Sequence, residues 1–314
     1  MSDPGSRSTS RLGTTADWLR FLRWPNLLII AGTMLLVRHA GLGPFLMTRG
    51  VFGVSTLAFS GMVLATLLIA AAGYVANDVA DRRIDEINRP QRVFVGRVLL
   101  EPRAMNLAGS LLLAAALSLI PLLRETGFLW WMLLFPAAGG LLLAYAFGLK
   151  CTVVVGNVVV SFLSAVVPLL VLFADWPALG DARAGVALVS SYAVFAFLVS
   201  LFREVVKDLE DSEGDEVFGC RTLAVTSPER ALDLALASAG TVVSSLVVFL
   251  LLWEAAWPAW VVAGGLVVAP LTVAALKLRA AAEPAAYGIV STLAKLAMLG
   301  GLLLLPVLSG AVRI

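Results

Sequence analysis

The sequence predicts an all-α, polytopic membrane protein, a bundle of nine transmembrane helices with its N-terminus in the cytoplasm. Three observations carry this. First, the chain is 60% hydrophobic and only 14% charged, with a mean hydropathy of +0.94, whereas a soluble domain is about 45–50% apolar and about 25% charged. Second, nine segments approach or exceed the roughly 20 apolar residues a helix needs to span hydrocarbon. They lie at about 20–38, 55–77, 104–123, 127–147, 152–173, 185–205, 231–253, 257–276 and 286–308. Third, lysine and arginine alternate sides. With the N-terminus inside, 17 fall on the cytoplasmic side and five on the other, and Lys295 lies inside the last segment; basic residues collect in cytoplasmic loops.

Residues 1–17 are polar and are expected to be a disordered tail; residues 18–314 are read as one transmembrane domain. Only helices or closed barrels satisfy the backbone in lipid, and runs this long favour helices. Local signals mark several starts. Pro102 follows Glu101, Pro228 follows Ser227 and Pro284 follows Glu283; proline suits a first helical turn, where its missing N–H has no partner to lose. The segments are separated by glycine, proline or charged clusters. Trp130, Trp131, Trp253, Trp257 and Trp260 read as interfacial belt residues. His39 reads as an external loop residue. Cys151 and Cys220 are too few for a disulfide framework or a zinc site and read as inert. A net charge of +2 gives no reason to expect nucleic acid.

Two acidic stretches stand out. NDVADRRIDEINRP follows the second segment and KDLEDSEGDE follows the sixth. Asp78, Asp81 and Asp85 share the i, i+3, i+7 spacing of Asp208, Asp211 and Asp215, which puts each trio on one helix face if the helix continues. Both trios fall on the cytoplasmic side, four segments apart, as in two pseudo-equivalent halves around one cavity. Six converging carboxylates repel unless cations join them. Mg²⁺ takes carboxylate oxygens and completes its shell with water and phosphate oxygens. Arg82, Arg89, Arg92, Arg203 and Lys207 lie beside the trios and suit the remaining charge of a polyphosphate. The combination implies a magnesium-bound diphosphate at the membrane surface. A lone trio is more often a solvated helix end. A transporter would place its ionisable groups nearer the bilayer midplane.

Other polar residues keep two readings. Asn157, within GNVVVSFLSA, either binds substrate or joins helices. Asn26, in WPNLLI, is either an entry residue or ordinary interfacial polarity. Lys295, about 15 Å into the last segment at 1.5 Å per residue, either meets an acceptor phosphate or pairs with a carboxylate. Lys150 either contacts the acceptor or follows from the topology alone.

Asn77-Asp78-x-x-Asp81-x-x-x-Asp85 resembles the first signature of the UbiA superfamily of intramembrane prenyltransferases, and Lys207-Asp208 through Asp215 resembles the second. The wording of both stretches is closest to the subgroup of geranylgeranylglycerol-phosphate geranylgeranyltransferases. The chain departs from that subgroup after the first signature, where Arg92-Val-Phe-Val-Gly96 replaces R-P-x-P-S-G. The resemblance implies two Mg²⁺ ions bridging the six aspartates to the diphosphate of an isoprenyl donor. Asn77 would be a helper ligand, and Arg203 and Lys207 would hold diphosphate oxygens. It also implies a prenyl tunnel among the helices and transfer to a lipid or aromatic acceptor. Expected first is a glycerol-phosphate ether lipid; an aromatic acceptor of 4-hydroxybenzoate, homogentisate or chlorophyllide type is the alternative, and a cation-coupled transporter the third. The expected location is the cytoplasmic (inner) membrane, with the site facing the cytoplasm. The loops after the second and sixth segments are expected to act as lids, with Gly96, Gly214 and Gly219 permitting movement.

Overall fold

A computed structural model describes residues 13–47, 50, 53–88, 90, 93–180, 182–280 and 284–311. Arg89 and Arg92, two of the residues expected to hold substrate charge, lie outside the described residues, as do residues 1–12 of the polar tail. Structure begins inside that tail: α1 spans Thr15–Phe21, opened by a capping box in which Thr14 and Asp17 satisfy each other's backbone N–H.

Each of the nine expected segments is helical. After α1 come α2 (Trp24–Met47, with a π-helical turn at Val37–Leu42), α3 (Thr56–Ala80), the short α4 (Arg82–Asn88) and α5 (Glu101–Thr126). Then follow α6 (Trp131–Phe147), α7 (Val155–Ala174), α8 (Arg183–Val217), α9 (Pro228–Leu252), α10 (Trp257–Arg279) and α11 (Pro284–Ala311). Eight of these runs are long and apolar enough to cross a membrane; α6 is apolar but only 17 residues long. The prolines act as read: α9 and α11 begin on Pro228 and Pro284, and Pro102 sits in the first turn of α5. His39 lies in the π-turn of α2 rather than in a loop, its ring edge-on to Phe59.

Two helices organise the bundle. α3 packs on α5 and α6, and α8 packs on α7, α9 and α11, while α2 touches α3, α7 and α11. Most of the buried core is Leu, Val and Ala. Small residues permit close approach between helices: a Cβ on Gly61 would lie 2.2 Å from the Ser118 carbonyl oxygen, and one on Gly300 2.2 Å from that of Leu266.

The two ends of the bundle differ. At one, the end of α3, the end of α6, the start of α7 and the end of α8 bring together the acidic stretches. At the other, Asp175, only 1% exposed, lies 3.8 Å from Arg38 and accepts from Val54 N–H at 3.0 Å. Arg38 also lies over the Phe59 ring at 4.2 Å and donates to the Val54 carbonyl. Burial pushes the Asp175 carboxyl above its ordinary range, and Arg38 opposes that shift. This cluster ties α2, the 53–55 turn and the end of α7 together.

The cysteines are a correction. Cys151 and Cys220 are bonded as a disulfide across 69 residues, joining the turn after α6 to the turn after α8. Sequence spacing gives no hint of this, because the pairing is made by packing.

A candidate diphosphate site at the charged end of the bundle

The two acidic trios fold differently. On α8 the helix runs through to Val217, so Asp208, Asp211 and Asp215 do share one face. The first trio does not lie on one unbroken helix. α3 ends at Ala80, Asp81 caps it with its N–H bonded to the Asn77 carbonyl at 2.7 Å, and α4 restarts at Arg82. Asp81 itself stays in the right-handed helical region and accepts from Asp85 N–H at 2.8 Å, and α4 packs against α8. Asn88, at the end of α4, donates to the Asp211 carbonyl at 3.0 Å and accepts from Gly214 N–H at 3.0 Å. That contact needs glycine, since a Cβ on Gly214 would fall 2.6 Å from the Asn88 amide. The two acidic stretches therefore meet, and Asp81 and Asp215 lie within electrostatic reach of each other.

The first wall carries Asn77, which donates to Asp81 at 2.5 Å. Asp81 is also paired with Lys150 from the turn after α6. Asp78 is paired with Arg23 at 2.6 Å. The second wall carries Asp208, which accepts from Asn157 of α7 at 2.7 Å. Asn157 thus joins two helices and orients a site carboxylate at once. Lys207, half-buried, lies within electrostatic reach of Asp78, Asp208 and Asp211. Arg203 pairs with the adjacent buried Glu204. Asp85 is half-buried on α4. Lys295 is half-buried on α11, one turn from Met298, which lines the cavity described next.

Below these charges lies an apolar cavity of about 190 Å³, walled by Ile30, Ile69, Tyr74, Leu142, Val167 and Tyr192 among others. Tyr74 is one helical turn from Asp78, and its ring faces the Arg23 guanidinium at 5.0 Å, so this side chain of the cavity wall also touches the charged cluster.

The loop after the first trio is not shaped as a loose lid. Val93, Phe94 and Val95 are buried, and Phe94 stacks on Phe21 at 4.5 Å and meets Trp18 edge-on at 5.0 Å. Gly96, at φ +88°, has the Arg82 guanidinium against it, and Arg82 bonds Glu101 at 2.6 Å. The apolar Val-Phe-Val that departs from the subgroup pattern is what anchors this loop to α1.

Sequence reasoning missed Glu204 and Tyr74, and gave Arg23 no role beyond topology. An arginine just ahead of an apolar segment is what topology alone requires, so Arg23 carried no separate signal.

Among the described residues no three His, Cys, Asp or Glu side chains converge tightly enough to hold a metal by themselves. The donor set still fits Mg²⁺, which uses one or two carboxylates and fills its shell from phosphate and water. Two facing walls of hard oxygen donors, with Arg23, Lys150 and Lys207 between them, supply that chemistry.

Comparison with known proteins agrees with this geometry. The model of the UbiA prenyltransferase family matches residues 40–299. Digeranylgeranylglyceryl phosphate synthase of Methanoregula boonei is 37% identical over 215 residues, covering 67% of this chain and 71% of the relative. The enzyme of the same name from Methanothermobacter thermautotrophicus is 36% identical over 188 residues, covering 57% of this chain and 60% of the relative. A solved structure of digeranylgeranylglyceryl phosphate synthase in membranes superposes with a TM-score of 0.65 at 20% identity, covering 94% of this chain and 98% of that one. A UbiA homologue from Archaeoglobus fulgidus bound to GPP and Mg²⁺ gives 0.58 at 15% identity, covering 92% and 99%. A family match over most of the chain, on a bundle whose two acidic signatures face each other, places this protein in the UbiA prenyltransferase family.

Proposed function

We propose that this protein transfers a geranylgeranyl group from its diphosphate to the free hydroxyl of a prenylated glycerol phosphate. The observation that carries this is the meeting of both acidic stretches over an apolar cavity. The names of the relatives support the acceptor, and the Archaeoglobus homologue with GPP and Mg²⁺ supports the donor class and the metal.

In this reading Asp78, Asp81 and Asp85 on one wall and Asp208, Asp211 and Asp215 on the other hold Mg²⁺, two ions being the expected number. Bound there, Mg²⁺ supplies Lewis-acid stabilisation of charge on the leaving diphosphate. The chain's residues do the rest. Asn77 and Asn157 fix Asp81 and Asp208 in place. Arg23 and Lys150 neutralise Asp78 and Asp81 before substrate arrives and are displaced toward phosphate oxygens when it binds. Lys207, Arg203 and, outside the described residues, Arg92 take the remaining negative charge. The allylic C–O bond breaks, the acceptor oxygen forms the new ether bond and its proton departs. The cavity wall keeps water from the electron-deficient carbon. Lys295, one turn from the cavity-lining Met298, is the residue assigned to the acceptor phosphate. The expected location is the cytoplasmic membrane, with the charged end inward.

Purified protein in liposomes tests this with labelled geranylgeranyl diphosphate and either a prenylated glycerol phosphate or 4-hydroxybenzoate. Product is expected only with the glycerol phosphate, and only with Mg²⁺. Chelation, Asp78→Ala or Asp208→Ala should each cut turnover about a hundred- to a thousandfold, since each removes transition-state charge stabilisation worth about 2.7–4 kcal/mol. Product from the aromatic acid alone would overturn the acceptor assignment.

A further inference from the structure

A second apolar cavity, of about 180 Å³, lies among α8, α9, α10 and α11, with Leu188, Phe195, Leu246, Phe249, Val267 and Leu305 in its walls. Among the described residues, Tyr192 is the one side chain that lines both this cavity and the one beneath the charged site. The two spaces follow the same helices. On α11, Met298 lines the first and Gly301 the second, one turn apart. On α8, Ala196 lines the first and Leu188 the second. Tyr192 is 8% exposed and its ring lies 5.8 Å from that of Phe195. It is a held partition rather than a free side chain.

We infer that Tyr192 is the chain-length stop of this enzyme, ending the donor's prenyl tunnel and keeping the second cavity out of its reach. The inference rests on the proposed function, because it takes the first cavity to hold the donor chain. Asp208 and Tyr192 are 16 residues apart on one helix, about 24 Å at 1.5 Å per residue, so the stop acts far from the reacting carbon. Specificity then comes from exclusion. A donor one isoprene unit longer meets the Tyr192 ring and must fold back or leave its last unit in a poor contact. Removing the ring opens a path into existing apolar space.

The test is competition between geranylgeranyl diphosphate and geranylfarnesyl diphosphate, with kcat/KM read for each. Tyr192→Ala is expected to raise the ratio in favour of the longer donor at least tenfold, the scale on which an apolar pocket discriminates chain length. Tyr192→Phe keeps the ring and should leave the ratio near wild type. Val267→Phe, added to Tyr192→Ala, refills the second cavity and should return the ratio toward wild type. Tyr192→Trp gives a reading of opposite sign, favouring farnesyl over geranylgeranyl diphosphate, and serves if the alanine variant does not fold. Equal losses for both donors in folded Tyr192→Ala, or an unmoved ratio in Tyr192→Trp, would overturn the inference. Wild-type protein that turns over no prenyl diphosphate at all would instead sink the proposed function, so the two failures are separable.

Discussion

Asn157 had two readings in the sequence, substrate ligand or helix glue, and its geometry shows the second, through a carboxylate of the candidate site. It is buried at 5% exposure and donates to Asp208 at 2.7 Å, so it binds two helices by orienting a site carboxylate. A hydrogen bond to a charged group contributes about 1.5–3 kcal/mol. Asn157→Ala should therefore lower kcat tenfold or more, with Mg²⁺ titration of activity showing a raised half-saturation. An unchanged Mg²⁺ response would return Asn157 to a purely structural part. The aspartates were legible because carboxylates at a membrane edge demand an explanation. Arg23 was not, because its partner, Asp78, lies 55 residues away.

The elements carry the meeting of the two acidic stretches. Regular spacing suggested two equal stripes; the second runs on one helix, while in the first Asp81 stands between α3 and α4. α4 docks on α8 through Asn88 and Gly214. Gly214→Ala places a methyl group where the Asn88 amide stands, and activity should fall at least tenfold. Asn88→Ala alone loses two hydrogen bonds. The double variant should be less impaired than the sum of the singles, because the clash disappears with the amide; strict additivity of the two losses would contradict the docking. The loop at 93–99 teaches the complementary lesson. Its Gly96 was read as a sign of movement, yet positive φ here serves a close approach by Arg82, and Phe94 fastens the loop to α1.

Over the whole molecule, the bundle is fastened at both ends: the Cys151–Cys220 disulfide and the Asn88 contacts at the charged end, the Arg38–Asp175 cluster at the other. The Arg38–Asp175 cluster lies at the end away from the aspartate trios and closes the bundle there. Asp175→Ala would leave Arg38 without its counter-charge, and breaking a buried pair costs about 3–5 kcal/mol. A clear drop in thermal midpoint in detergent is expected, with KM for the donor unchanged in the protein that remains folded. A raised KM would show that the two ends communicate. By itself the sequence determined the membrane class, the helical segments and the two aspartate signatures, since hydropathy and helical period act locally along the chain. Tertiary structure alone decided the docking of Asn88 on Gly214, the pairing of Cys151 with Cys220, the Arg23–Asp78 and Lys150–Asp81 pairs and the placing of Tyr192 between two cavities. Each of these joins residues or helices remote in sequence, and no periodicity encodes which distant helix face will lie opposite.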